Sequence, residues 1–218
     1  LDKIKEDLRI TTKNTSKSSK EKIINQAFKF HSQGNIKEAA KYYEYCINQG
    51  FKDHRVFCNY GTILRGFGKL EEAELSIRKA IKLKSNFAEA HSNLGNILKE
   101  LGKSQEAELS QRKAIELKPD FGDAHINLGI ILKDLGKKEE GEFHEKKGID
   151  IDFIKNIDSK FKEKCLKYIS DSKSQFRQDL FTLCQLNFKK NGFFVEFGSC
   201  DGFVGSNSYL LEKFFNWD

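Results

Sequence analysis

The stretch Asn93-Leu94-Gly95-Asn96-Ile97-Leu98 returns 34 residues later as Asn127-Leu128-Gly129-Ile130-Ile131-Leu132, and the register runs back through Asn59-Tyr60-Gly61 to Asn25-Gln26-Ala27. A period of this length marks a small supersecondary unit stacked on copies of itself, because one unit alone cannot bury its apolar side. With Lys20, His54, Ala88 and Gly122 as position one, small residues hold position eight (Ala27, Gly61, Gly95, Gly129) and position twenty (Ala39, Ala73, Ala107, Gly141). Small side chains there let two helices approach closely. Position fifteen is glycine throughout (Gly34, Gly68, Gly102, Gly136), which permits the left-handed backbone that ends a helix. Larger apolar residues at positions four, seven and eleven supply a core stripe: Ile23 and Phe30, Phe57, Tyr60 and Leu64, Leu94 and Leu98, Leu128 and Leu132.

This pattern resembles the tetratricopeptide repeat, whose unit is a pair of antiparallel helices. The resemblance implies a mainly α fold, an α-solenoid of about four helix hairpins at residues 20–53, 54–87, 88–121 and 122–153. The proline that the family often carries near the unit's end stands once, as Pro119. The fourth unit fades after Gly136. Gly141 and Gly148 each cost about 1 kcal/mol against alanine within a helix, which predicts a weak or redirected second helix there. Residues 1–19, with threonines and serines among lysines, read as a flexible or helical lead-in.

Composition narrows the function class. At 218 residues and 38% hydrophobic content, the chain can bury a core. No apolar run reaches the ~18 residues of a membrane span, and no start resembles a signal peptide, so the expected location is the cytoplasm without a membrane partner. The net charge of +6 comes from 38 basic and 32 acidic residues, well mixed, with no basic block interleaved with aromatics, and nucleic acid is not an expected partner. Five cysteines without a C-x-x-C pair suggest reduced thiols rather than a zinc site or disulfide framework. His91 and His125 recur at position four and read as packing residues; His31, His54 and His144 lack ligand-spaced partners. No metal site is expected. The chain begins at Leu1 and contains no methionine, which implies removal, truncation or a partial reading.

Position six is asparagine in all four units: Asn25, Asn59, Asn93 and Asn127. At ~100° per residue this position lies opposite much of the core stripe, on the concave side that stacked first helices line. Asparagine costs roughly 0.5 kcal/mol against alanine mid-helix, so four occurrences at one register call for a reason. An amide offers a donor and an acceptor, and a row of amides can pair with an extended peptide backbone whatever its side chains. The repeats look like those of the O-linked N-acetylglucosamine transferases, where asparagines at this register form a ladder. The amides could instead bond to neighbouring helices or water, or record recent duplication. The same face carries Phe28 and Thr62 early, then Glu89, Asn96, Glu100, Asp123 and Asp134, so the late groove is acidic. A basic row at position twelve (His31, Arg65, Lys99, Lys133) can pair with acids at position thirteen or extend into solvent. The expected partner is a protein or peptide, extended and carrying some basic residues, with Asn96, Glu100 and Asp134 joining the four asparagines as groove residues.

After Phe153 the period is lost. Residues 154–172 read as a charged, partly helical connector. Phe193-Phe194-Val195-Glu196-Phe197 then suits a buried strand, Gly198-Ser199-Cys200-Asp201-Gly202 a glycine loop, and Ser206-Asn207-Ser208 the N-cap of a helix through Phe215. Glycines let a backbone approach a ligand, and free N–H groups at a helix start orient its polar parts. The text Ser174-Gln175-Phe176-Arg177-Gln178-Asp179, Gly192 to Gly198, Asp201-Gly202, Ser206-Asn207, Leu211-Glu212 and Trp217 resembles the opening of the FkbM family of S-adenosylmethionine-dependent methyltransferases. The resemblance implies that residues 173–218 are the truncated start of an α/β, Rossmann-like domain. Glu196, Gly198 and Gly202 match its first cofactor motif, and Ser199, Cys200 and Asp201 occupy the loop, where Ser199 and Cys200 depart from the family's usual residues. The family's ribose-binding acid follows the tryptophan, beyond Asp218. The complete parent domain would use S-adenosylmethionine; the chain ending at Asp218 is expected to bind it poorly and to be inactive. The Phe-rich run also fits an ordinary buried strand.

Two readings stand for the whole: a peptide-binding array fused to an incomplete methyltransferase domain, or an interaction scaffold with an inert C-terminal segment. A relative of the sugar transferases fits the asparagine ladder but not the text from Ser174 to Trp217.

Overall fold

The structure is a computed structural model, and it describes residues 17–169 together with 183, 184 and 188. The elements among these are helices: α1 (Lys17–Ser32), α2 (Ile36–Asn48), α3 (His54–Gly66), α4 (Leu70–Leu83), α5 (Ala88–Glu100), α6 (Ser104–Leu117), α7 (Gly122–Asp134), α8 (Lys138–Asn156) and α9 (Ser159–Tyr168). The expected Rossmann-like segment lies outside the described residues, apart from those three isolated positions. No helix among the described residues is long and apolar enough to cross a membrane.

Contacts divide the described residues into two compact units, residues 17–119 with 127–141, and residues 120–126 with those from 142. In the first unit α1 packs on α2, α3 on α4 and α5 on α6, and each hairpin packs on the next through α2 with α3 and α4 with α5. The first helices α3 and α5 also meet directly. The position-fifteen glycines end the first helices as their register requires: Gly34, Gly68, Gly102 and Gly136 have φ of 73°, 75°, 75° and 79°. An added Cβ would meet nothing at any of them, so the backbone conformation and not crowding selects glycine. The next residue's N–H closes each end, as Lys69 N donates to Leu64 O at 3.0 Å and Lys103 N to Leu98 O at 2.8 Å.

Ala27, Ala39, Ala73 and Ala107 are fully buried, and a Cβ on Gly61 would come within 2.8 Å of the Ile77 side chain. The stripe at positions seven and eleven is buried at Leu64, Leu94, Leu98, Leu128 and Leu132. The first helices are buried over a wider arc than that stripe, because position ten also goes inside as Ile63, Ile97 and Ile131. Helices α3 and α5 each lie between their own partner and the helices of neighbouring repeats.

In the fourth repeat the expectation of a weak second helix is corrected: α8 runs unbroken for 19 residues through both glycines. A Cβ on Gly141 would lie 2.8 Å from Gly129 O, and one on Gly148 2.7 Å from Gly122 O. These glycines are sites of close helix approach, and the packing they permit offsets their low helix propensity. In the second unit α9 is capped at its start by Asp158, whose carboxylate accepts from Lys160 N at 3.0 Å.

Candidate functional site

Each first helix delivers its position-six asparagine at the middle of the helix, where backbone geometry is most regular. Asn25 is exposed, while Asn59, Asn93 and Asn127 are half-buried, so the row does not simply point away from the core. Asn59 donates through Nδ2 to the Tyr43 hydroxyl at 3.2 Å, and that hydroxyl lies 3.2 Å from His31 Nδ1. Burial pushes the Tyr43 phenol up to about 12 and lowers His31. A neutral hydroxyl that accepts from Asn59 keeps its proton for an uncharged imidazole, so the three side chains form a chain from α3 through α2 to α1.

Asn93 turns Nδ2 toward Thr62 Oγ1 at 3.3 Å and Cys58 Sγ at 3.4 Å, on the first helix of the preceding repeat. Thr62 donates its own proton to Cys58 O at 3.1 Å, which leaves Oγ1 as the acceptor. Asn59 and Asn93 therefore share one polarity, with an N–H committed to the preceding repeat and Oδ1 left as an acceptor for a ligand. Asn96, one turn beyond Asn93, has the reverse polarity: its Oδ1 accepts from Gln111 Nε2 at 2.8 Å, which leaves the amide N–H groups as donors. Gln111 is fully buried, donates also to Ser92 O at 3.0 Å, and has no partner for Oε1 among the described residues.

Three of the acids on this face are ion-paired. Arg65 binds Glu100 at 2.6 Å and Lys99 binds Asp134 at 3.3 Å, each pair joining position twelve of one repeat to position thirteen of the next. Glu89 pairs with Lys118 at 3.4 Å. Within the expected acidic late groove, Glu100 and Asp134 are thus neutralised by the basic row.

Other candidates resolve differently. Cys46 and Cys58 are buried free thiols pushed up by burial to about 12 and about 11, which suits packing and not nucleophilic chemistry. In the second unit His125 is buried and its Nδ1 lies 2.9 Å from His144 Nδ1, with the rings stacked at 5.2 Å. His144 was without an expected partner, since a separation of 19 residues across a hairpin has no linear signature. Among the described residues no group of three or more His, Cys, Asp or Glu is placed to hold a metal. Glu196, Gly198, Ser199, Cys200, Asp201 and Gly202 lie outside the described residues. Sequence reasoning missed Tyr43 and Gln111, although both stand at position 24, where polar residues within a buried register were the available signal.

Tetratricopeptide repeat family models match residues 61–102 and 88–121. No curated protein matches the chain by sequence. Among solved structures, MamA is 19% identical with a TM-score of 0.60, covering 69% of this chain and 85% of its own. YrrB, described as a tetratricopeptide repeat protein with an unusual peptide-binding site, is 23% identical at a TM-score of 0.53, covering 65% of this chain and 71% of its own. A mutant O-GlcNAc transferase from Thermobaculum terrenum is 22% identical at a TM-score of 0.51, covering 55% of this chain and 23% of its own. Residues 61–121 therefore carry tetratricopeptide repeats, within a fold that these repeat proteins share.

Proposed function

We propose that the first-helix face binds an extended polypeptide of a partner protein through its backbone, and that the chain works as an interaction scaffold. The observation that supports this reading is the opposed polarity of Asn93 and Asn96. One amide is left with an acceptor and the other with donors, one helical turn apart, which suits the N–H and C=O groups of an extended strand. Asn25, Asn59 and Asn127 extend the row. Because Glu100 and Asp134 are paired, the groove selects on backbone geometry more than on basic side chains. YrrB, whose description includes a peptide-binding site, shares the fold. The test is selection of a random peptide library displayed on phage against the chain, followed by affinity measurement on Asn93→Ala/Asn127→Ala and on Asn96→Ala. Selected peptides should weaken about tenfold or more, the effect of one or two lost hydrogen bonds, with helicity unchanged by circular dichroism. Unchanged affinity would assign the asparagines to inter-repeat bonding.

We further propose that residues 173–218 begin an S-adenosylmethionine-dependent methyltransferase domain of the FkbM type, with Glu196, Gly198, Ser199, Cys200, Asp201 and Gly202 at the cofactor. Its support is the ordered text from Ser174 to Trp217. Expression together with any coding sequence downstream of Asp218, assayed with methyl-labelled S-adenosylmethionine, tests it; absence of cofactor binding and transfer would leave the scaffold reading alone.

A further inference from the structure

The outward side of the second helices carries a surface that the asparagine row does not use. Position 22 is Lys41 in the first unit, then Leu75 and Leu109, which are 63% and 68% exposed. Large aliphatic side chains this open, at one register of successive helices, mark a contact surface when polar groups surround them. Leu109 stands at the rim of a cavity of about 410 Å³ formed by α4, α5 and α6. Ile81 and Leu94 supply its apolar lining, Arg78, Lys82, His91 and Lys113 its polar one, and no carboxylate lines it.

The charge is particular to this junction. Between Glu74 and Glu89 the sequence has Arg78, Lys79, Lys82 and Lys84 and no acidic residue. Arg78 is held by Glu74 and Glu106, and Lys113 by Glu116. Lys82 is exposed and makes no ion pair among the described residues. One repeat later Glu116 occupies the register of Lys82, so the same surface there loses its cation.

We propose that this cavity docks an acidic amphipathic segment of a partner protein. A large apolar side chain of the segment enters against Ile81, Leu94 and Leu109, while its carboxylates meet Lys82 and the outer faces of Arg78 and Lys113. A volume of this size holds one or two large side chains, and Lys82, the lining lysine with no ion pair among the described residues, sets the sign of the partner. The exposed leucines argue for a protein segment, since a nucleic acid would need aromatic platforms or a longer basic track.

Fluorescence anisotropy on the full chain tests this with a labelled helical peptide carrying leucines at i, i+3, i+4 and i+7 and glutamates elsewhere. Controls are the same peptide with lysine for glutamate, the same peptide with serine for leucine, and an oligo(dT) strand. The acidic leucine peptide should bind saturably and weaken with added salt. Leu109→Ser and Lys82→Glu, both at exposed positions, should each weaken it about tenfold or more, the size of a contact hot spot. Asn93→Ala/Asn127→Ala should leave it unchanged, which separates this surface from the asparagine row. No saturable binding of the acidic leucine peptide overturns the proposal, as does equal binding of the serine peptide, the lysine peptide or oligo(dT), or indifference to Leu109→Ser.

Discussion

Position 24 shows how one side chain can link stability to the binding face. Ile77 lies beneath Gly61, and Gln111 occupies the same place beneath Gly95, where a glycine Cβ would come within 2.7 Å of its amide nitrogen. The Gln111 amide donates from Nε2 to both Ser92 O and Asn96 Oδ1, and that orientation leaves the buried Oε1 without a partner among the described residues. A buried acceptor without a bond costs about 1–3 kcal/mol. Gln111→Ile, which copies the preceding repeat, should therefore raise the urea midpoint by a gain of about 1 kcal/mol after the loss of two hydrogen bonds. A lower midpoint would mean that the bonds to Ser92 and Asn96 outweigh the stranded oxygen. If the midpoint rises while affinity for selected peptides falls, Gln111 holds Asn96 in its donor orientation at the expense of stability.

At the scale of helices, the repeat register foretold the hairpins, their terminating glycines and the small residues at their crossings, because each is a local backbone or packing rule that returns every 34 residues. The fourth repeat was misread for a physical reason. Helix propensity describes an isolated helix, and Gly141 and Gly148 gain from a neighbour that propensity does not include. A propensity argument makes Gly141→Ala and Gly148→Ala stabilising by up to about 1 kcal/mol. The contacts at 2.8 Å to Gly129 O and 2.7 Å to Gly122 O are with backbone, which cannot swing aside as a side chain can. Each substitution should instead lower stability by about 1–3 kcal/mol, the range for overpacking, measured by chemical denaturation. Stabilisation by either would restore the propensity reading. The partners of Asn59 and Asn93 were likewise out of reach, because they depend on which neighbouring helix faces an amide, and periodicity specifies the register without specifying that neighbour.

Across the array, one charge cluster recurs at two successive junctions. Glu74 binds Arg78 at 2.7 Å and Lys103 at 2.9 Å, and Arg78 reaches Glu106 at 3.2 Å. The next junction has Glu108 with Arg112 and Lys137, both at 2.8 Å, and Arg112 with Glu140 at 2.6 Å. The first unit has Ala40 and Glu44 at the registers of the central Glu and Arg, so it lacks the cluster. In a linear reading these residues are ordinary (i, i+4) pairs; the period shows them as bonds between successive repeats, where nearest-neighbour terms set the stability of an array. At Glu74 the Lys103 hydrogen bond leads a lowering of the pKa that burial opposes. At Glu108 burial raises it, but the Lys137 and Arg112 bonds and charges together outweigh that and lower it. A carboxylate lowered in the folded state stabilises that state above its unfolded pKa, and the contribution is lost as pH falls through the folded value. Glu74→Gln/Glu108→Gln keeps hydrogen-bonding capacity while removing both charges. The double variant should melt below the parent at neutral pH, and the gap should close as pH falls below the ordinary glutamate range and the parent's carboxylates take up protons. Other carboxylates titrate in both proteins, so the difference between the two melting curves isolates these two. A gap that stays constant with pH would assign the loss to altered packing and reduce the clusters to solvated surface charge.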